Sequence, residues 1–253
     1  MVERKGAAVR QKGHLSGEAD VIQHARTYIF KLIQHFWKLR SEEYQLSWEI
    51  RPQLEPFHFH PLSKKELTAA VRTAGELNLR SDIEAGYKIG CLYTSLLPKK
   101  FRSQYGVFYT PPALTQRLIT SAEEAGVKWG KHRILDPACG GGAFIAPVAK
   151  MIARDLSAGK SPIEVLQTIG SNLRGFEIDP FSGWISEVLA EISLLDICKA
   201  ARTRLPSIVE IRDTLKTEPS EHFDLVIGNP PYGRISLSAG EREKFKRSLH
   251  GHA

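Results

Sequence analysis

In Asn229-Pro230-Pro231-Tyr232, almost every group is either a hydrogen-bond acceptor or a flat apolar face. Two consecutive prolines fix φ at two positions and remove two N–H donors, so the backbone carbonyls of the turn remain as acceptors. The Asn229 carboxamide oxygen adds another acceptor, and the Tyr232 ring offers an apolar plane. A planar group carrying –NH2 fits this set: its amine hydrogens meet two acceptors while its ring stacks on tyrosine. The apolar run Asp224-Leu225-Val226-Ile227-Gly228 comes just before. It predicts a strand that carries the loop at its C-terminal tip, the end of open α/β sheets where ligands bind. A proline-rich turn around a core tyrosine is the competing account of the same four residues.

Upstream, Arg133-Ile134-Leu135-Asp136-Pro137-Ala138-Cys139-Gly140-Gly141-Gly142-Ala143-Phe144 reads as a short strand, a glycine turn and a helix over 143–156. Such a turn lets a ligand approach bare backbone and meet the positive end of a helix. A phosphate-binding P-loop needs Lys-Ser/Thr after its last glycine, where Ala143-Phe144 stands, and a dinucleotide fingerprint needs a third glycine, where Ile145 stands. Leu173-Arg174-Gly175-Phe176-Glu177-Ile178-Asp179-Pro180 predicts a second strand ending in acid, a position suited to accepting two ribose hydroxyl hydrogens. Asp179 before Pro180 reads as the cap of the next helix. A third strand over 207–211 ends at Arg212-Asp213, where the aspartate is either a ligand contact or a surface turn residue. Thr110 in Tyr105-Gly106-Val107-Phe108-Tyr109-Thr110-Pro111-Pro112 stands before a helix over 113–122, and capping alone would explain it.

The Asp-Pro-Ala-Cys-Gly-x-Gly loop, with Asn-Pro-Pro-Tyr downstream, resembles the N6-adenine-specific DNA methyltransferases of the type II or combined restriction type. The order Thr-Pro turn, glycine loop, Glu strand, Asp strand, Asn-Pro-Pro-Tyr is also the order of that group. The resemblance runs strongly over 105–233 and only vaguely over the first hundred residues. It implies S-adenosylmethionine as cofactor. Thr110 and Tyr109 would hold its methionine carboxylate, and Asp136, Pro137, Ala138, Gly140 and Gly142 would form its loop. Glu177 would take the ribose, Ile178 would pack on the adenine, and Asp213 would receive the adenine amine. Asn229, Pro230, Pro231 and Tyr232 would be catalytic, and duplex DNA with an adenine target would be the partner, in a restriction–modification setting. Protein glutamine methyltransferases share Asn-Pro-Pro-Tyr, but their loop usually reads Asp-x-Gly-x-Gly-x-Gly. RNA adenine methylation uses the same chemistry, and an inactive cofactor-binding subunit has the same motifs.

The elements that must position these groups form an α/β chain. A formal charge of +7 suits a polyanionic partner, although a solvated basic face would look the same. Cys91, Cys139 and Cys198 form no CxxC pair, so neither a disulfide framework nor a zinc site is expected. No metal, no membrane span and no signal peptide are expected, and the location implied is cytoplasmic. Apolar residues from Val21 to Phe36 recur at helical spacing, which predicts a helix over 19–39 packed on a globular neighbour. Further helices are expected over 63–79, where Ser63 and Glu66 have capping-box spacing, and over 82–97. His58 and His60, among prolines, read as structural. The whole predicts an α-helical region over 1–100 and a cofactor-binding domain over 101–253. That domain has a Rossmann-like, mostly parallel sheet with helices on both faces; the resemblance implies the strand order 3-2-1-4. Only a loop and a polar helix over 239–249 follow Tyr232. The sheet's later strands and a target-recognition domain are therefore expected from a missing C-terminal half or a second chain, with Val226 and Ile227 not both shielded.

Overall fold

The computed structural model describes residues 17–231 apart from 54, 56, 106–108 and 217–220. The expectations for Tyr232 and for a helix over 239–249 lie outside them. Four helices open the described chain: α1 (Glu18–Glu43), α2 (Lys64–Asn78), α3 (Asp82–Leu96) and α4 (Lys99–Tyr105). Then follow α5 (Pro112–Glu124), β1 (Ile134–Asp136), α6 (Ile145–Leu156), α7 (Pro162–Asn172), β2 (Leu173–Glu177), α8 (Pro180–Ile192), α9 (Leu195–Ala201), β3 (Val209–Ile211) and β4 (Leu225–Val226). The strands form one parallel sheet in the order β3-β2-β1-β4, as expected. In register, Ile134 faces Leu173 on one side and Leu225 on the other. The fold is Rossmann-like α/β, with parallel strands joined by helical crossovers.

Local signals explain most element ends. The capping box of Ser63 and Glu66 starts α2, and an equivalent box of Ser161 and Glu164 starts α7, a helix not anticipated from sequence, like α9. The helix after the glycine turn begins at Ile145 rather than at 143, with Phe144 at its cap position, and Gly142, with a φ of +84°, belongs to the turn. β4 is one of the sheet's two outer strands among the described residues. Ile227 is buried and continues its ladder by donating to the Leu135 carbonyl, whereas Val226 is 61% exposed. One of the two is shielded and the other is not, as expected of an open edge.

Two apolar cores meet at α8. In one, Leu32, Ile33 and Phe36 of α1, Ala74 of α2 and Ile89 of α3 pack against Phe181, Trp184, Ile185 and Val188. Lys38 lies outward while Arg26 and Arg40 are mostly buried, and the apolar face of the helix is packed on a neighbour, as its spacing predicted. In the other, Ile119 of α5, Val148 and Ile152 of α6, Val165 and Ile169 of α7 and Ile134 of β1 enclose Ala190 from the far side of α8. Every residue from Phe181 to Ile192 is buried, including Glu187 and Glu191. Charges so buried require partners. Arg51, from the proline-punctuated stretch after α1, supplies them: its guanidinium donates to Glu187 Oε2 at 2.5 Å and to Glu191 Oε1 at 3.2 Å, and to the Leu205 carbonyl. The other oxygen of Glu187 accepts from Ser207 Oγ and from the backbone N–H groups of Ile208 and Val209 at 2.7–2.8 Å, which fixes the entry to β3.

His60 accounts for itself structurally. Its backbone N–H donates to Thr27 Oγ1 at 3.0 Å, and its ring lies 4.0 Å from Asp20.

Candidate active site

The loop after β1 is tied down at both ends. The Cys139 N–H donates to the Phe176 carbonyl of β2 at 2.9 Å, and the Ala138 N–H donates to Asp136 Oδ1 at 3.2 Å. Gly140 stands in the left-handed region, with a φ of +53°. A side chain built on Gly140 would meet nothing within 4 Å, so the backbone there is open on one face. The Gly140 N–H donates to Glu177 Oε2 at 2.8 Å, and the Asp179 N–H to Glu177 Oε1 at 2.9 Å. Both oxygens of Glu177 are therefore aimed by backbone donors from two different loops.

Asp136 and Glu177 are both nearly inaccessible. Burial pushes each carboxyl up to about 7: the Glu177 charge adds to this at Asp136 and the Asp179 charge at Glu177, while the backbone donors oppose it at both. Asp179 caps α8 by accepting from the Phe181 and Ser182 N–H groups, as its position before Pro180 predicted. It also accepts from Arg26 of α1 at 2.6 Å and from Tyr93 of α3 at 3.4 Å. Neither contact was foreseen, and neither residue has a sequence signal beyond its place on an amphipathic helix. Ile178, between the two acids, is 44% exposed.

Thr110 corrects an expectation. The cap position of α5 is Pro111, with no side-chain capping bond, and the buried Thr110 hydroxyl instead accepts from Asn229 Nδ2 at 3.2 Å. The bond fixes the orientation of the Asn229 carboxamide and joins the turn before α5 to the loop after β4. Gly228 makes a second junction. A Cβ there would lie 2.5 Å from Asp136 Oδ1, so the loops after β1 and β4 run in contact. Pro230 and Pro231 are exposed at its tip. Asp213 takes part in a turn, accepting from the Leu215 N–H and pairing with Lys216, both at 3.1 Å. The neighbouring Thr214 hydroxyl donates to the Pro137 carbonyl at 2.6 Å, bringing that turn against the glycine loop.

The Tyr109 ring is wedged between α3 and the glycine loop. A Cβ on Gly90 would come within 1.9 Å of it, and a Cβ on Gly141 within 2.3 Å. Burial holds the Tyr109 hydroxyl well above the usual phenol range, and the charges of Asp179 and Glu177 add to that. Gly90→Ala is expected to destabilise the fold by about 1–3 kcal/mol through overpacking. Urea denaturation compared with wild type measures it, and an unchanged midpoint would show that the ring can move aside. Beside Tyr109, a cleft is lined by Thr110, Thr115, Gly142, Ala143 and, from α3, Asp82 and Tyr87. The buried Thr115 hydroxyl makes no hydrogen bond.

The structure thus brings Asp136, Gly140 and Glu177 into one hydrogen-bonded group, Tyr109, Thr110 and Gly142 into the cleft, and Asn229 onto Thr110. Asp213 approaches through Thr214 and Pro137. These groups suit a ligand that carries a diol for an accepting carboxylate at a strand tip, a flat apolar ring for an exposed isoleucine, and a polar tail for the unbonded Thr115 hydroxyl. Among the described residues no cluster of histidine, cysteine and acid could hold a metal ion, and no helix is long and apolar enough to cross a membrane.

Comparison with known proteins bears on the family and the fold. The type II methyltransferase M.CvrRI of Paramecium bursaria Chlorella virus XZ-6E is 32% identical over 136 residues, covering 54% of this chain and 27% of that protein. M.TthHB8I of Thermus thermophilus is 31% identical over 153 residues, covering 60% of this chain and 26% of that protein. The chain therefore spans about a quarter of the length of these curated relatives. The solved DrdV–DNA complex shares the fold, with a TM-score of 0.53 at 17% identity, over 96% of this chain and 28% of that one. The family profile described as N-6 DNA Methylase matches residues 88–250, more than half of the chain. The chain belongs to the N-6 DNA methylase family.

Proposed function

We propose that the chain is the cofactor-binding and catalytic part of an adenine-specific DNA methyltransferase of a cytoplasmic restriction–modification system. It would transfer a methyl group from S-adenosylmethionine to N6 of an adenine flipped out of duplex DNA. The observation that supports this most is the Thr110–Asn229 hydrogen bond, which links the turn proposed to hold the cofactor to the acceptor proposed for the target amine. In this reading residues 1–100 form a helical region and 101–253 the cofactor-binding domain. Target recognition would come from another part of a longer protein or from a second chain.

Each residue has a stated task. Glu177 accepts the ribose hydroxyls, Ile178 packs on the adenine ring, and Asp213 receives its amine. Asp136, Pro137, Ala138, Gly140 and Gly142 bring backbone against the ligand, while Thr110 and Tyr109 face its methionine end. When bound, S-adenosylmethionine supplies an electrophilic methyl group on a positively charged sulfur. A base inside a duplex cannot reach this pocket, so it must leave the stack. Tyr232 is proposed to stack on it, a contact worth roughly 1–3 kcal/mol. The N6 lone pair is delocalised into the ring and attacks poorly. Asn229 Oδ1 and the Pro230 carbonyl accept its two hydrogens, localise the lone pair and stabilise the positive charge that grows on nitrogen. Pro231 keeps that turn rigid, and holding both reactants in place supplies much of the remaining rate.

The test is radiolabelled methyl transfer from S-adenosylmethionine to duplex DNA, RNA and a glutamine-containing peptide in parallel, with the chain alone and joined to a target-recognition region. Label on adenine N6 of DNA, with the joined protein, is the expected result. Label on the peptide alone would replace this reading with glutamine methylation, and label on no substrate despite cofactor binding would make the chain an inactive cofactor-binding subunit.

A further inference from the structure

Asp136, Glu177 and Asp179 are three acids gathered in one small volume, 2%, 8% and 3% exposed. Glu177 shares its neighbourhood with Asp136 at the end of β1, Asp179 after β2, the Cys139 thiol of the glycine loop and the Tyr109 hydroxyl. Arg212, after β3, gives its backbone N–H to the Glu177 carbonyl and stacks its guanidinium 4.3 Å over the Phe176 ring. Among the described residues, the ion pair recorded on these three acids is that of Arg26 with Asp179. Arg26 belongs to α1, far from the motif-bearing segments. Its guanidinium is largely buried, 5.8 Å above the Phe181 ring, and Tyr93 of α3 stands beside it on the same carboxylate. Asp179 in turn gives its own backbone N–H to Glu177 at 2.9 Å.

We propose that Arg26, seconded by Tyr93, is a positioning residue for Glu177: the N-terminal helices hold the Asp179 loop, and through its backbone N–H and its balanced charge they set the ionisation of the acid that binds the cofactor's ribose. The inference rests on the assignment of Glu177 to the ribose. Without the guanidinium, the Asp179 charge would lie unbalanced beside a second buried carboxylate. The proton on Glu177 would then be held more tightly, and the carboxylate able to accept two hydroxyls would become scarcer at neutral pH. The sign follows directly. Ligand affinity is full on the alkaline side of the Glu177 titration and is lost as pH falls through it, so removing Arg26 moves that loss to higher pH.

The experiment is calorimetric titration of the whole chain with S-adenosylhomocysteine at a series of pH values on both sides of neutrality. Wild type is expected to lose affinity as pH falls below about 7. Arg26→Met is expected to bind about fivefold more weakly at neutral pH, the loss produced there by displacing the Glu177 titration from about 7 upward by one pH unit, and to regain wild-type affinity on the alkaline side. Arg26→Lys should recover part of the loss, because it restores the positive charge but not the guanidinium fork. Tyr93→Phe keeps the packing and removes one donor, and should displace the curve by less in the same direction. It carries the test if Arg26→Met does not fold by circular dichroism. An unchanged curve, or a loss by the same factor at every pH, would overturn the positioning role and leave Arg26 a stability residue. Glu177→Gln separates the two readings. If it binds as wild type does at all pH values, the ribose assignment itself fails, and so it does if wild type binds no S-adenosylhomocysteine; either result takes this inference with it.

Discussion

Asn229→Ala is expected to lower methyl transfer to DNA by about 10²–10³-fold, the usual loss when one preorganised group facing a developing charge is removed. Binding of S-adenosylhomocysteine should stay within about twofold of wild type, because the carboxamide serves the target amine and not the cofactor. Single-turnover methyl transfer and calorimetry on the same preparation check the two halves. A fall in affinity as large as the fall in rate would mean that Asn229 acts on the cofactor. The Thr110 contact makes the result more informative. Thr110→Val deletes the acceptor of Asn229 Nδ2 and frees the carboxamide to turn, whereas Thr110→Ser keeps the hydroxyl and should restore most of the rate. That difference separates orientation of Asn229 from its mere presence.

Arg51→Met is expected to cost about 3–5 kcal/mol of stability, because it leaves buried carboxylates without their counter-charge. Glu187 and Glu191 are both fully inaccessible, and Arg51 touches each of them. Arg204 lies 3.7 Å from Glu191 and offers partial compensation there, but Glu187 has no second recorded ion pair among the described residues. Urea denaturation of the variant against wild type measures the cost, and adding Glu187→Gln to Arg51→Met should return part of it. A loss below about 1 kcal/mol would put the pair in the class of solvent-screened surface bridges.

The sheet was readable because each strand ends in a segment with its own chemistry. The motif after β1, the acid after β2 and the loop after β4 mark strand tips independently of any periodicity, and all four strands lie where expected. The helix α8 was not readable as the centre of the molecule. Glu187 and Glu191 stand four residues apart, the pattern of a solvated helix face, and what pairs with them is Arg51, from an irregular stretch broken by prolines. A residue so distant in sequence leaves no local trace. The capping account of Thr110 failed for the opposite reason: a threonine before proline is locally sufficient as a cap, and only the approach of Asn229 from the other end of the domain gives its hydroxyl a different partner. Arg26 and Tyr93 were invisible in the same way as Arg51. The site residues with motif signals sit on loops at strand tips, while those that steady them come from helix faces chosen by tertiary packing.

The helix shared between the two cores also has a consequence for synthesis on the ribosome. Phe36, Ile33 and Leu32 of α1 find their partners at Phe181 and Trp184, so the first helices emerge long before the surface that covers them. At roughly 5–20 residues per second, that interval is on the order of ten seconds. During it the part of the apolar stripe that α2 and α3 do not cover stands open to solvent and to other nascent chains. Until α8 is made, the face that α1 turns toward Phe181 and Trp184 has no cover, and translation slowed between α4 and α8 would lengthen its exposure.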